Sequence, residues 1–284
     1  MQWIQLPDGT PPTPPMKFLD GLDNDIRSAL LAQLRDLWTH GSTALEGNAL
    51  TLGETAFVLE EGLTISGKPL KDHQEVVGHA RAIDLLYGVL DRGRLITETD
   101  LFELHRAVQT TVVMDVLAPV GAWKREPNGT HATTVDGRQV FIDYAAPDDV
   151  PALMARWLES LNQNMERVAG EAAVSVAYAD LHLAFVRIHP FCDGNGRMAR
   201  LLANLPVLKA GYPPVLIDRT RRRDYLQCLS SYDMAVGAAR TGLPLLPPSE
   251  QLVAFRSFCR DCWRASLELA VEAKRRQEER SRRR

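Results

Sequence analysis

The chain has 284 residues, 45% of them hydrophobic and 24% charged, with a formal charge of −3 at pH 7. This describes a globular chain long enough for one large core or two modest domains, and the weakly negative balance argues against a general affinity for nucleic acid. No stretch approaches about eighteen uninterrupted apolar residues, and the first residues lack a charged start followed by an apolar core, so the expectation is a cytoplasmic protein without a membrane span.

Residues 1–24 open on a proline-rich lead, Pro7 to Pro15, predicted to be extended. Ile26, Leu30, Leu34, Leu37 and Trp38 then mark an amphipathic helix predicted to end near His40-Gly41, with Ser42 to Glu46 on a short turn or helix beyond it. Thr51 and Glu54 have the spacing of a capping box opening a helix that Gly62 ends, and another helix is predicted from about Asp72 to Leu90. These elements make up a helical region over residues 25–98.

A core region over residues 99–240 begins with Leu101, Leu104, Val108 and the Thr110-Thr111-Val112-Val113 run. Between Gly121 and Pro147 the pattern breaks. Glycines, Asn128 and the Asp136-Gly137 pair surround a short alternating stretch, Gln139-Val140-Phe141-Ile142, which is a hairpin signal. Val174, Ala177, Tyr178, Leu181, Ala184, Phe185 and Ile188 recur at helical spacing and lead straight to His189. A second stripe, Met198, Leu201, Leu202, Leu205 and Leu208, runs to Gly211, with Pro206 inside it expected to kink or shorten the helix. Gly211 to Val215 turns the chain, Arg219 to Arg223 supplies four arginines in five residues, and Tyr225 and Asp233 fall on nearly the same side of the next helix.

Residues 241–284 read as a helical extension ending in a basic tail, Lys274 to Arg284, expected to fray. Cys192, Cys228, Cys259 and Cys262 are too few and too irregular for a disulfide framework. The lone pair Cys259 and Cys262 sits among Phe255, Phe258 and Trp263, the setting of a core helix face rather than of a metal site.

The densest chemistry lies in twelve residues, His189-Pro-Phe-Cys-Asp-Gly-Asn-Gly-Arg-Met-Ala-Arg200. Between two predicted helices they place a base (His189), a carboxylate (Asp193), a turn with Gly194 and Gly196, and two arginines, Arg197 and Arg200, on one helical face. Backbone N–H groups of such a turn, followed by a helix N-terminus, form an anion-binding concavity. Histidine can take a proton from a hydroxyl near neutral pH, and one carboxylate with phosphate oxygens suits Mg²⁺. The inventory is that of nucleotidyl transfer.

This segment resembles the signature of the Fic family, His-x-Phe-x-Asp-Gly-Asn-Gly-Arg-x-x-Arg, at every specified position. Ser42 to Asn48 is similar to that family's inhibitory motif, Ser/Thr-x-x-x-Glu-Gly/Asn, and lies N-terminal to the core. The resemblance implies an all-α helical bundle with a single β-hairpin flap over the active site. It also implies a protein adenylyltransferase, moving AMP from ATP to a Ser, Thr or Tyr hydroxyl of a target protein, possible targets including the protein itself. His189 is then the base, Asp193 the Mg²⁺ ligand, Gly194, Asn195, Gly196 and Arg197 the cradle for the α- and β-phosphates, and Arg200 the γ-phosphate ligand.

On the same resemblance, Val140, Phe141, Ile142 and Asp143 form the flap edge that registers the target. Tyr225 and Asp233 hold the adenine end, although Leu226 stands where some relatives carry a second tyrosine. Ser42 and Glu46 are inhibitory, Glu46 competing for Arg200 as a carboxylate pairing with a guanidinium. Fic proteins are often dimers, so a homodimer is a further expectation. Two other readings stay open at this stage: AMP removal by hydrolysis at the same site, with Glu46 aligning a water, and a nucleotide-binding regulatory module with little transfer activity.

Overall fold

The computed structural model describes residues 16–109, 119–134 and 137–283. The prolines at 7–15, the Thr-Thr-Val-Val run at 110–113 and Asp136 of the hairpin turn lie outside those residues. The described chain is helical, with one small antiparallel sheet.

Four helices come first: α1 (Asn24–Leu45), α2 (Leu52–Glu61), α3 (Leu70–Asp91) and α4 (Glu98–Val108). Capping chemistry sets two of their starts. Thr51 Oγ1 accepts the Glu54 N–H at 3.2 Å while the Glu54 carboxylate accepts the Thr51 N–H at 2.7 Å, the reciprocal box read in the sequence. At α4 the Thr97 N–H and hydroxyl both donate to the Asp100 carboxylate, at 2.8 and 2.7 Å.

The expected end of α1 near His40-Gly41 is corrected: the helix runs through Gly41 to Leu45, and Glu46 is its C-terminal cap. Gly41 is there for clearance. A Cβ at that position would lie 2.7 Å from the carbonyl oxygen of Ile217, so glycine lets a second backbone pass against the helix. Ser42 and Glu46 therefore ride on the last turn of a long helix.

The hairpin follows as β1 (Gly129–Thr133) and β2 (Gln139–Asp143), antiparallel, with Thr130 opposite Ile142 and His131 opposite Phe141. Then come α5 (Val150–Arg167), α6 (Glu171–Ile188), α7 (Asn195–Leu202), α8 (Leu205–Lys209), α9 (Arg222–Val236) and α10 (Glu250–Arg283). Pro206 acts as expected: α7 stops at Leu202, and the proline sits in the first turn of α8, where its missing N–H costs nothing.

One apolar cluster, from Met16 to Ala273, takes buried residues from every one of these helices except α2, with α6 at its centre. Every residue from Leu181 to Ile188 is buried, so this half of α6 has no solvent face, and it delivers His189 from inside the protein. A smaller cluster, Leu50, Val58 and Val76, joins α2 to α3.

The tail expected to fray stays helical to Arg283. Arg275 and Arg276 pair with Glu272 one turn earlier, and Arg280 pairs with Asp25 at 2.7 Å, tying the end of α10 to the start of α1. No described helix is long and apolar enough to cross a membrane.

Candidate active site

His189 caps α6 in the left-handed conformation, φ 53°, the one described non-glycine residue with positive φ. Such a conformation persists only where the surroundings enforce it. Here Nδ1–H donates to the Val186 carbonyl at 3.1 Å, and the ring lies flat on Tyr144, centroids 3.7 Å apart and planes 1° apart. Because a carbonyl only accepts, the proton is on Nδ1 and the lone pair on Nε2. Burial pushes the His189 pKa down to about 4, so at neutral pH the imidazole is a proton acceptor.

The loop after His189 is locked by side chains. Asn195 accepts the Phe191 N–H at 2.9 Å and donates back to the Phe191 carbonyl at 2.8 Å. Its side chain is thus committed to the loop, and its contribution to an anion site is its backbone N–H. Gly194 has φ 77°, which a side chain rarely adopts, and α7 starts at the next residue with the N–H groups of Asn195, Gly196 and Arg197 outside the helical ladder. Asp193 presents a carboxylate 78% exposed; the side-chain hydrogen bond from Gln109 and the charge of Arg197 outweigh its desolvation and hold it below the usual carboxylate range.

Two guanidiniums flank this helix start. Arg197 is buried, and all its contacts are long: 3.4 Å to the Val108 carbonyl, 3.4 Å to Gln109 and 3.5 Å to Asp193, with its Nε unpartnered. Buried donors with such weak partners are suited to receive an anion. Arg200, 2% exposed, is instead held by four hydrogen bonds. It donates through Nε to Ser42 Oγ at 3.0 Å, through Nη2 to the Ser42 carbonyl at 2.9 Å and to Glu46 Oε1 at 2.5 Å, and through Nη1 to the Tyr225 hydroxyl at 3.1 Å. The same Glu46 oxygen occupies the space where a Gly196 Cβ would stand. The carboxylate therefore rests on the first turn of α7, against the backbone that would cradle a phosphate.

The hairpin is placed beside the base. Tyr144, directly after β2, is the residue stacked on His189, and its N–H donates to the Asn128 carbonyl ahead of β1 at 3.2 Å. Ile142 is buried and anchors the strand, whereas Phe141 is 56% exposed and Asp143 faces solvent. Among the described residues the sheet has only two strands, so the outer edge of β2 has its backbone groups free for an added strand.

With that geometry, comparison with known proteins is direct. A family model described as Fic/DOC family matches residues 95–207, the span from α4 through the phosphate loop to α8. The chain carries a Fic/DOC-family domain. Curated relatives named protein adenylyltransferase Fic, from Drosophila mojavensis and Drosophila grimshawi, are each 34% identical over 194 and 196 residues, 66% of this chain in both cases. The chain spans about a third of the length of those relatives. A Fic domain-containing signaling protein from Bacteroides thetaiotaomicron superimposes with a TM-score of 0.76 at 29% identity, covering 91% of this chain and 93% of that one. Fic-1 from C. elegans gives 0.65 at 26% identity, covering 88% and 66%. The helical fold with its hairpin is that of Fic proteins.

Around this Fic domain the structure adds residues that the sequence did not single out. His105 on α4 accepts the Gly121 N–H at Nδ1, 2.8 Å, and so donates from Nε2 to the Asp193 carbonyl at 3.0 Å while stacking on Phe191. It fixes the loop from below. Lys124 is buried, its N–H bonded to the Pro190 carbonyl and its Nζ to Asn128; burial pulls its pKa down to about 8. Arg222, in the arginine run, donates from Nε to the Leu45 carbonyl at 2.8 Å and so caps the end of α1 beside Glu46. Of the expected adenine contacts, Tyr225 is buried with its hydroxyl committed to Arg200. Asp233 is buried with Oδ1 unpartnered, and burial pushes its carboxyl up to about 7.

Proposed function

We propose that this protein is a protein adenylyltransferase that uses ATP and is held in a resting state by Glu46. The observation that carries the reading is the junction of an accepting imidazole with a helix start flanked by two buried guanidiniums. ATP binds with its α- and β-phosphates on the N–H groups of Asn195, Gly196 and Arg197, and the γ-phosphate takes the place of the Glu46 carboxylate on Arg200. A target hydroxyl then loses its proton to His189 Nε2 as its oxygen attacks the α-phosphorus. The bond from that phosphorus to the bridging oxygen breaks, and diphosphate leaves on the arginine side. The target keeps AMP.

Asp193 fits Mg²⁺, since that ion takes one or two carboxylates and completes its shell with phosphate oxygens and water. Bound there, it would neutralise charge on the phosphates. Tyr225 serves the nucleotide through Arg200, and Asp233, with an unpartnered oxygen near Tyr144, serves the base or ribose. The target is a protein segment with a Ser, Thr or Tyr hydroxyl, this chain included, that pairs in extended form with β2 at Val140 to Asp143.

Labelled ATP tests the reaction class. With the Glu46→Gly variant and Mg²⁺, label on the α-phosphate is expected on protein and label on the γ-phosphate is not, and His189→Ala abolishes the signal. Protein labelled from the γ-phosphate would overturn AMP transfer in favour of phosphorylation. Arg222→Ala removes the cap on α1 without touching Glu46. It is expected to raise self-modification of the parent chain by a few-fold, the scale of one helix-end hydrogen bond, as measured by the initial rate of label incorporation.

A further inference from the structure

Arg200 is held from two sides that belong to different parts of the chain. Ser42 and Glu46, at the end of α1, take its Nε and Nη2 donors. From the opposite side Nη1 donates to the hydroxyl oxygen of Tyr225 on α9, and the guanidinium carbon lies 5.6 Å from the centre of that ring. When Glu46 withdraws, Tyr225 is the restraint that does not depend on α1.

A guanidinium only donates, so the Tyr225 O–H proton has to point elsewhere. The acceptor in reach is Nε2 of His182 on α6, at 3.0 Å. Accepting there places the imidazole proton on Nδ1, aimed at the Tyr178 hydroxyl at 3.3 Å. Arg200 and Tyr225 are each 2% exposed, and His182 and Tyr178 are fully buried. Burial, reinforced by the Arg200 charge, keeps His182 neutral, which is the state able to accept. The hydrogen bonds therefore have one direction, Arg200 to Tyr225 to His182 to Tyr178.

We propose that His182 is a positioning residue for the nucleotide: by accepting the Tyr225 O–H, it turns the phenol oxygen's lone pairs toward Arg200 and holds that guanidinium in place for the terminal phosphate. His182 touches no substrate and acts through Tyr225. Without an acceptor at its position, the Tyr225 proton is free to turn toward Arg200, which sets a donor against a donor and releases the guanidinium. The proposal rests on the reading of Arg200 as the γ-phosphate ligand.

The test measures ATP and ADP affinities with Mg²⁺ by calorimetry, using the full chain in the Glu46→Gly background, since only ATP carries the γ-phosphate. Adding Arg200→Ala should abolish the preference for ATP. His182→Phe should weaken ATP about five- to tenfold, the worth of one positioning hydrogen bond, and leave ADP unchanged. His182→Gln, whose amide oxygen can accept, should restore the preference. Tyr225→Phe should reproduce the loss, and the double variant should be no worse than either single one. If His182→Phe weakens ATP and ADP equally, or leaves their ratio intact while Arg200→Ala abolishes it, the proposal is wrong and the γ-phosphate reading stands. If Arg200→Ala itself keeps the preference for ATP, that reading falls and takes this one with it. Should His182→Phe fail to fold, Tyr225→Phe and His182→Gln carry the same comparison, and failure of Gln to restore the ratio in a folded protein counts against the proposal.

Discussion

Glu46→Gly should tighten ATP binding by roughly 10- to 100-fold, measured by calorimetry with Mg²⁺. That is the span given by a charge-assisted hydrogen bond worth about 1.5–3 kcal/mol that ATP must break in the parent chain and need not break in the variant. The geometry favours the larger part of the range. The carboxylate contacts Arg200 at 2.5 Å, and the guanidinium is buried, although the carboxylate itself is 40% exposed and partly screened. Glu46 also stands on the first turn of α7, against Gly196, so its removal vacates phosphate space as well as freeing a cation. Glu46→Gln keeps the shape and removes the charge; it should lie between parent and Gly. Equal ATP affinity in all three chains would show that the carboxylate does not compete with the nucleotide.

Acid should destabilise this protein before its carboxylates titrate, its thermal midpoint by circular dichroism falling as pH drops below about 6.5. His189 and His105 have folded pKa values of about 4, and His79 and His182 lie well below the ordinary 6.5, all chiefly through burial. A histidine depressed in the folded state is neutral in both states above about pH 6.5. Below that, the unfolded chain takes up protons that the folded one refuses, and stability falls by about 1.4 kcal/mol per pH unit for each. Asp233, raised to about 7, works the other way: between pH 7 and 4 the folded state binds its proton more readily, which offsets about one histidine.

Between pH 6.5 and 5 the His189 and His105 losses, less the Asp233 gain, amount to about 2 kcal/mol, to which His79 and His182 add in the same direction, against a typical domain stability of about 5–15 kcal/mol. The acid limb of kcat/KM should therefore lie below the ordinary histidine pKa of about 6.5, set by the depressed His189 and by loss of stability together. Activity that falls with a midpoint near 6.5 in a still-folded protein would contradict a base that is neutral down to about pH 4.

Much of the site was legible before any coordinates, because its chemistry is local in the chain. His189 to Arg200 occupies twelve residues, and Thr51 with Glu54 reads as a cap from spacing alone. Glu46 was legible as a second short pattern, yet its distance from Arg200 in sequence is 154 residues, and only the packing of α1 on α7 puts them in contact. Where sequence reasoning ended α1 too early, the error came from Gly41. Its purpose is close approach to Ile217, which local propensity cannot reveal. Helix α5 went unassigned although Leu153, Met154, Trp157 and Leu161 carry a helical stripe. His105, Tyr144, His182 and Arg222 were silent for another reason: each is an ordinary residue in its own segment and acquires a role from partners brought by another element. Asn195 shows the reverse, a motif residue whose side chain serves the loop rather than facing the phosphates.

In the proposed function one carboxylate, Glu46, restrains an otherwise complete transferase. The most direct test of this is the intact mass of three chains after incubation with ATP and Mg²⁺. The Glu46→Gly chain should gain the mass of AMP, while the parent and the Glu46→Gly, His189→Ala double variant should not. A Glu46→Gly chain that binds ATP by calorimetry yet adds AMP neither to itself nor to any protein of a cell lysate would contradict the account.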